Sequence, residues 1–272
     1  KVALGDLSSS VPTISGTPTV GNTLSSVRGD WTTGTEFARQ WYADGVAIED
    51  ATGISFKLTS AQAGKRITVI VTGSKTGYAT TSRTSEQTAK VAQGALTSSV
   101  PTISGKLLIG WYESAKTGTW TSGTAFTYQW YAGGVAVDGA TEEVFFVTVA
   151  EAGKQITVKV TGSLAGYPSV SKISAPTDTV PKRELTSVVP TISGTAVVGN
   201  TLNSTRGLWT GGTTFDYQWF ANGVAIIGAT ETTYTLTQAE VGKQITVRII
   251  GSKLGYETVS HISDPTMPVV AV

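Results

Sequence analysis

Three tryptophans, Trp31, Trp120 and Trp209, stand 89 residues apart (120 − 31 = 89 and 209 − 120 = 89), and Gly64, Gly153 and Gly242 keep the same interval. No gap interrupts the register from Leu7, Leu96 and Leu185 to the ends of the three copies. Solenoid repeats of ~20–50 residues must stack to bury a core, whereas a segment this long can close a core of its own. Three domains are therefore expected, at residues 1–93, 94–182 and 183–272.

The most legible stretch within each copy reads strand, two-residue turn, returning strand. Asp44-Gly45, Gly133-Gly134 and Asn222-Gly223 supply the positive φ angles of a tight type I′ hairpin. On the first strand of each hairpin Trp41, Trp130 and Trp219 share parity with Phe37, Phe126 and Phe215, so each pair points to one face, taken as the core. Upstream, the run Val-Pro-Thr-Ile-Ser-Gly opens each copy. Its proline has no N–H to donate and assigns that strand to a sheet edge. Downstream, Phe56, Phe146 and Tyr234 are read as equivalent strand positions, followed by one helical turn that closes on Gly64, Gly153 or Gly242. Ile67, Val69 and Val71 then alternate with polar or variable positions that become Lys159 and Arg248 later, which is a strand with one buried and one wet face. About seven short strands with turns every ~8–12 residues predict an all-β fold of antiparallel sandwiches. Links around Ala92–Ala95 and Val180–Glu184 are short, and Pro181 stiffens the second. Placed end to end, such domains would form an elongated array of roughly 100–130 Å, from strands of ~10 residues rising ~3.3 Å each.

These residues resemble a known family. The central Trp, the Leu-Thr-x-Ala-x-x-Gly-Lys-x-Ile-Thr-Val run and the Gly-Tyr turn are similar to the tandem immunoglobulin-like (Ig-like) repeats of secreted and cell-surface bacterial proteins, of actinobacterial type, over residues 7–272. The resemblance implies three tandem Ig-like sandwiches and an extracellular or cell-surface location. It also implies a spacer or accessory role beside flanking domains of a larger polypeptide, sometimes a secreted glycoside hydrolase. Antibody domains join their sheets with a disulfide; here Val69, Val158 and Val247 lie where one of its cysteines would fall, so apolar packing must suffice.

Charged residues make up 14% of the chain against a usual ~25%, and the net charge is +1. Such a chain has no field with which to hold nucleic acid or an anionic membrane, and no run of ~18 apolar residues offers a membrane span. Zero cysteines exclude thiolate metal sites and thiol catalysis. With no cofactor motif and one histidine, His261, read as a solvated strand position, the many Ser and Thr residues lack a general base. The adjacent Glu142-Glu143 pair falls in a hairpin loop where neighbouring side chains diverge, and no calcium or phosphate loop is present. A non-catalytic monomer without metal follows.

Aromatic side chains are the remaining resource for recognition, because sugars stack on exposed rings. Trp31, Trp120 and Trp209 either lid the end of the core or stand partly exposed. Tyr42, Tyr131 and Phe220 follow the core tryptophans and face the other way, as an exposed stripe or as cover for the outer sheet face. The second copy departs from the others, with Trp111-Tyr112-Glu113 in place of Asn22-Thr23-Leu24 and Asn200-Thr201-Leu202. An unpaired carboxylate is costly to bury, so Glu113 is expected to be exposed, with Trp111 or Tyr112 accessible as a candidate contact for an extracellular polysaccharide or the cell wall.

Overall fold

The structure, a computed structural model, describes residues 3–272. Lys1 and Val2, within the first expected domain, lie outside the described residues. Each copy contains seven short strands. In the first they are β1 (Thr13–Ser15), β2 (Thr23–Val27), β3 (Glu36–Ala43), β4 (Val46–Ala47), β5 (Ser55–Lys57), β6 (Ile67–Ser74) and β7 (Thr81–Thr84). The second holds β8 (Thr102–Gly105), β9 (Tyr112–Lys116), β10 (Ala125–Ala132), β11 (Val135–Ala136), β12 (Val144–Phe146), β13 (Ile156–Ser163) and β14 (Val170–Ile173). The third holds β15 (Thr191–Ser193), β16 (Thr201–Thr205), β17 (Thr214–Ala221), β18 (Val224–Ala225), β19 (Thr233–Thr235), β20 (Ile245–Ser252) and β21 (Val259–Ile262).

One strand order is written three times. A three-stranded sheet runs β1-β2-β5, and a four-stranded sheet runs β4-β3-β6-β7, with the same orders in the later copies. All strand pairs between named strands with a resolved register are antiparallel, and the fourth strand of each copy joins the sheet of the third, which is an Ig-like sandwich topology. The proline-led strand is at an edge in every copy, as its missing donor requires. Asp44, Gly133 and Asn222 turn the hairpins at φ 47°, 57° and 46°. The one-turn helices are 3-10 turns with reciprocal caps. Thr59, Thr148 and Thr237 each accept from the backbone of the turn, and Gln62, Glu151 or Glu240 returns a side-chain oxygen to the threonine N–H. Because Gln62 serves as well as the glutamates, the position needs an acceptor rather than a charge.

Residues 1–102, 117–128 and 159–173 form one compact unit; residues 103–116, 129–158 and 174–272 form the other. The first unit contains the whole first copy, whose core joins Leu24, Trp41, Leu58, Ile67 and Val69. The second contains the whole third copy, with Leu202, Trp219, Leu236, Ile245 and Val247 in the same roles. Trp41, Trp130 and Trp219 are fully buried, as are Val69, Val158 and Val247. Each of these indoles donates from Nε1 to a loop carbonyl, of Gly53, Glu142 or Glu231, at 2.9 Å. In place of a disulfide, the Ser85, Ser174 and Ser263 hydroxyls accept from the N–H of Val69, Val158 and Val247 at 3.0 Å.

Both units contain a junction between successive copies. In the first, Val20 N–H donates to Ala92 O and Gly94 N–H to Gly166 O, which leaves Gln93 as the one residue between two anchored positions. Tyr167 packs against the core of the first copy, and its hydroxyl sits so close to Gly21 that an added Cβ would meet it at 2.6 Å. In the second unit Val180 N–H donates to Lys154 O and Arg183 N–H to Gly255 O, with Pro181 and Lys182 between them. Lys182 also pairs with Glu257 at 3.6 Å, and Gly255 lies against Val149.

Candidate functional site

The second copy carries the surface that the other two lack. Strands β9 and β12 pair with Tyr112 opposite Phe146, Glu113 opposite Phe145 and Ser114 opposite Val144. Residues facing each other across a ladder point to the same side, so Tyr112, Phe146, Ser114 and Val144 form the outer face, and Glu113 and Phe145 the inner. The Tyr112 and Phe146 rings lie with centroids 4.9 Å apart at 53°. Tyr112 is 64% exposed, Val144 48% and Phe146 44%. The matching outward pairs elsewhere are Thr23 with Lys57 and Thr201 with Thr235, the last two hydroxyls bonded at 2.9 Å. Beside the row runs an open groove of about 540 Å³, walled by Val144, Phe146, Thr148 and the Asp138–Glu142 loop.

Two expectations are corrected here. Phe146 is not the equivalent of Phe56 and Tyr234. Phe145 takes that place and stacks on Trp130 at 5.3 Å, which leaves Phe146 outside. Glu113 is not exposed: it is buried at the position of Leu24 and Leu202. Its stem replaces the leucine, and its carboxylate accepts from Leu107 N–H at 2.5 Å. A buried polar group is tolerated once bonded, and here the bond comes from Leu107 and the room from a glycine that all three copies share. Leu107 stands where the first copy has Pro18, so an N–H exists to give, and it takes φ 49° to aim it. Gly105 leaves the space, since a Cβ there would sit within 2.5 Å of the carboxyl carbon. The sequence alone did not signal this donor, because Ala196 of the third copy offers an N–H at the same position beside Leu202; the turn of Leu107 to positive φ is what aims it.

The other singled-out aromatics are dispersed. Trp111 is 48% exposed, with the Lys106 ammonium 3.8 Å from its ring centroid. Tyr42, Tyr131 and Phe220 are half-buried on the outer face of the four-stranded sheets, and the Arg248 guanidinium lies 5.4 Å from the Phe220 centroid. Trp31, Trp120 and Trp209 are half-buried too, each edge-on to Phe37, Phe126 or Phe215 at 5.3–5.4 Å. His261 is more engaged than a solvated position. Its Nε2 is 2.9 Å from Ser187 Oγ and its ring 5.6 Å from Trp209, the contact that Arg83 Nε makes with Ser9 Oγ in the first copy. Sequence reasoning gave no role to Gln40, Gln129 and Gln218, whose amides donate to the carbonyls of Trp41 and Ile48, Trp130 and Val137, and Trp219 and Ile226.

Among titratable groups Glu240 is held below the ordinary carboxylate range. Burial opposes its charge, but Thr237 through side chain and backbone, the Tyr234 hydroxyl and Lys243 together outweigh that. Tyr234 is pushed up by burial and then by the negative charge of Glu240. This is the capping arrangement of the third 3-10 turn. Among the described residues no group of three or more His, Cys, Asp or Glu could hold a metal ion, and no helix is long and apolar enough to cross a membrane.

No protein-family model matches the chain, and no curated protein does. Among solved structures it is similar to a Ca2+-stabilized adhesin that helps an Antarctic bacterium reach out and bind ice, at 14% identity and TM-score 0.42, over 98% of this chain and 75% of that one. It is also similar to a structure from a 1.5-MDa bacterial ice-binding adhesin, at 13% identity and TM-score 0.39 over the full length of both. A segment of titin aligns over 97% of each chain at 16% identity and TM-score 0.31. The assignment to the Ig-like class rests on the strand order and not on these scores.

Proposed function

We propose that the chain is a non-catalytic tandem Ig-like segment of an extracellular bacterial protein, a semi-rigid spacer that holds flanking domains apart, with domain boundaries at 93/94 and 182/183. The observation that carries this reading is the pair of junctions. Links of one and two residues, each fixed at both ends by backbone hydrogen bonds, leave little torsional slack between neighbouring sandwiches. The apolar cores of the first and third copies give the spacer its strength, and the polar chemistry is spent on caps and hairpins. Small-angle scattering on the full chain tests it. A single globule of 272 residues would have a radius of gyration of about 18–19 Å. The spacer predicts a value far above that, and a wider spread of maximum dimensions for Tyr167→Ala, which frees the first junction. A globule-like radius overturns the reading.

A further inference from the structure

We infer that the second copy binds a neutral polysaccharide along the Tyr112–Phe146–Val144 row. The inference goes beyond the spacer role and stands if that role fails. In the first and third copies the same outward positions carry Thr, Ser, Lys or Asn, so the fold does not require rings there. Three apolar side chains left about half in water form a surface that a partner would cover.

The size and the border of the row select the partner. Taking ~150–250 Å² as the full area of each large side chain, the exposed parts amount to about 300 Å². A stable protein interface needs about 800 Å² on each side, so the row is too small for a globular partner and suits a narrow chain. An aromatic ring face is electron-rich, and the C–H bonds on the flat side of a pyranose meet it favourably. Asp138 and Glu142 line the adjoining groove, where carboxylates accept hydrogen bonds from sugar hydroxyls and repel an anionic polymer. Glu113 acts from behind. Bonded to Leu107 on the inner face, it occupies the parity of β9 that leaves Tyr112 outward.

The test is affinity electrophoresis of the full chain in native gels containing hydroxyethylcellulose, a mixed-linkage β-glucan, xylan, galactomannan or polygalacturonate. At least one neutral polymer is expected to retard the chain, and polygalacturonate is expected not to. The variant Tyr112→Thr/Val144→Thr/Phe146→Thr writes the outward residues of the third copy into the second, a face already compatible with this fold. It should bind at least tenfold more weakly, with an unchanged melting profile as the fold control. Should the triple variant melt differently, Tyr112→Thr alone is compared in its place. Retardation by none of the neutral polymers, by polygalacturonate alone, or undiminished in the variant overturns the proposal.

Discussion

Gly73, Gly162 and Gly251 are the penultimate residues of β6, β13 and β20, buried and still paired in the sheet, where glycine costs stability, and the reason for each is an indole. At Gly73 an added Cβ would lie 2.5 Å from Trp31 Cζ3 and 2.8 Å from the Thr35 methyl; at Gly162 and Gly251 it would come closer still to Trp120 and Trp209. Normal carbon contact is ~3.5–4.0 Å, so Gly→Ala must push the ring outward by about 1 Å. That shift disturbs the edge-on contact with Phe37, worth ~0.5–1.5 kcal/mol, and the Trp31 Nε1 bond to Arg28 O, worth ~1 kcal/mol. Against this, alanine restricts the unfolded chain and returns ~0.4–1 kcal/mol. The net expectation is a loss of about 0.5–2 kcal/mol per copy, at the lower end of the ~1–3 kcal/mol typical of overpacking. Substituting all three glycines in one chain makes every copy report together. Its thermal unfolding midpoint should fall by about 2–16 °C, at ~4–8 °C per kcal/mol for domains of this size. With Trp31, Trp120 and Trp209 also changed to alanine, the same glycine substitutions should become neutral or stabilising, a coupling of about 0.5–3 kcal/mol per copy. A triple glycine variant that melts at or above the parent, or a penalty that persists without the indoles, refutes the reasoning.

Two further outcomes follow from differences between copies. Asp44 and Asn222 each accept from the backbone N–H of the residue just before the neighbouring strand, Arg66 or Gln244, at 2.8 Å, while Gly133 has no side chain to offer Gln155. Gly133→Asn meets only ordinary contacts with Lys154 and should stabilise the second copy by about 0.5–1.5 kcal/mol in denaturant unfolding. Glu240 has a depressed pKa in the folded chain, so its contribution is present above the ordinary carboxylate value near ~4.3 and is lost as pH falls through the folded value. Melting between pH 6 and pH 3 should therefore decline less steeply in Glu240→Gln, which copies Gln62 of the first repeat; an unchanged slope would count against the cap as an acid-sensitive element.

The sequence made the architecture legible because it offered three readings of one pattern. The period, the turn glycines, the edge proline and the alternation around Val69 are local signals, each tied to one backbone or burial rule. What stayed illegible depended on contacts remote in sequence. Nothing near Trp31 says that Gly73 will lie beneath its ring, and nothing near Gln40 says that its amide will gather carbonyls from both strands of the hairpin. Phe145 and Phe146 are a case of parity. Both are apolar and composition does not separate them, but the 89-residue interval from Phe56 and Tyr234 falls on Phe145, and the pairing with β9 places that residue against Trp130.

The candidate site and the buried carboxylate have one origin. In a strand with one wet face, slipping the register by a single residue exchanges every inward and outward side chain. A slip of β9 would have placed Tyr112 inside and Glu113 in water, which is the outcome that charge alone favours. It would also have exposed Ala115, now buried, and broken the match of Glu113 opposite Phe145 beneath Trp130. The packing of neighbours outweighs the preference of one residue, and a single backbone N–H from Leu107 makes the buried charge tolerable. The rings at Tyr112 and Phe146 are thus held outward by the same register that fills the core, so the exposed aromatic row of the second copy requires no departure from the strand order it shares with the other two.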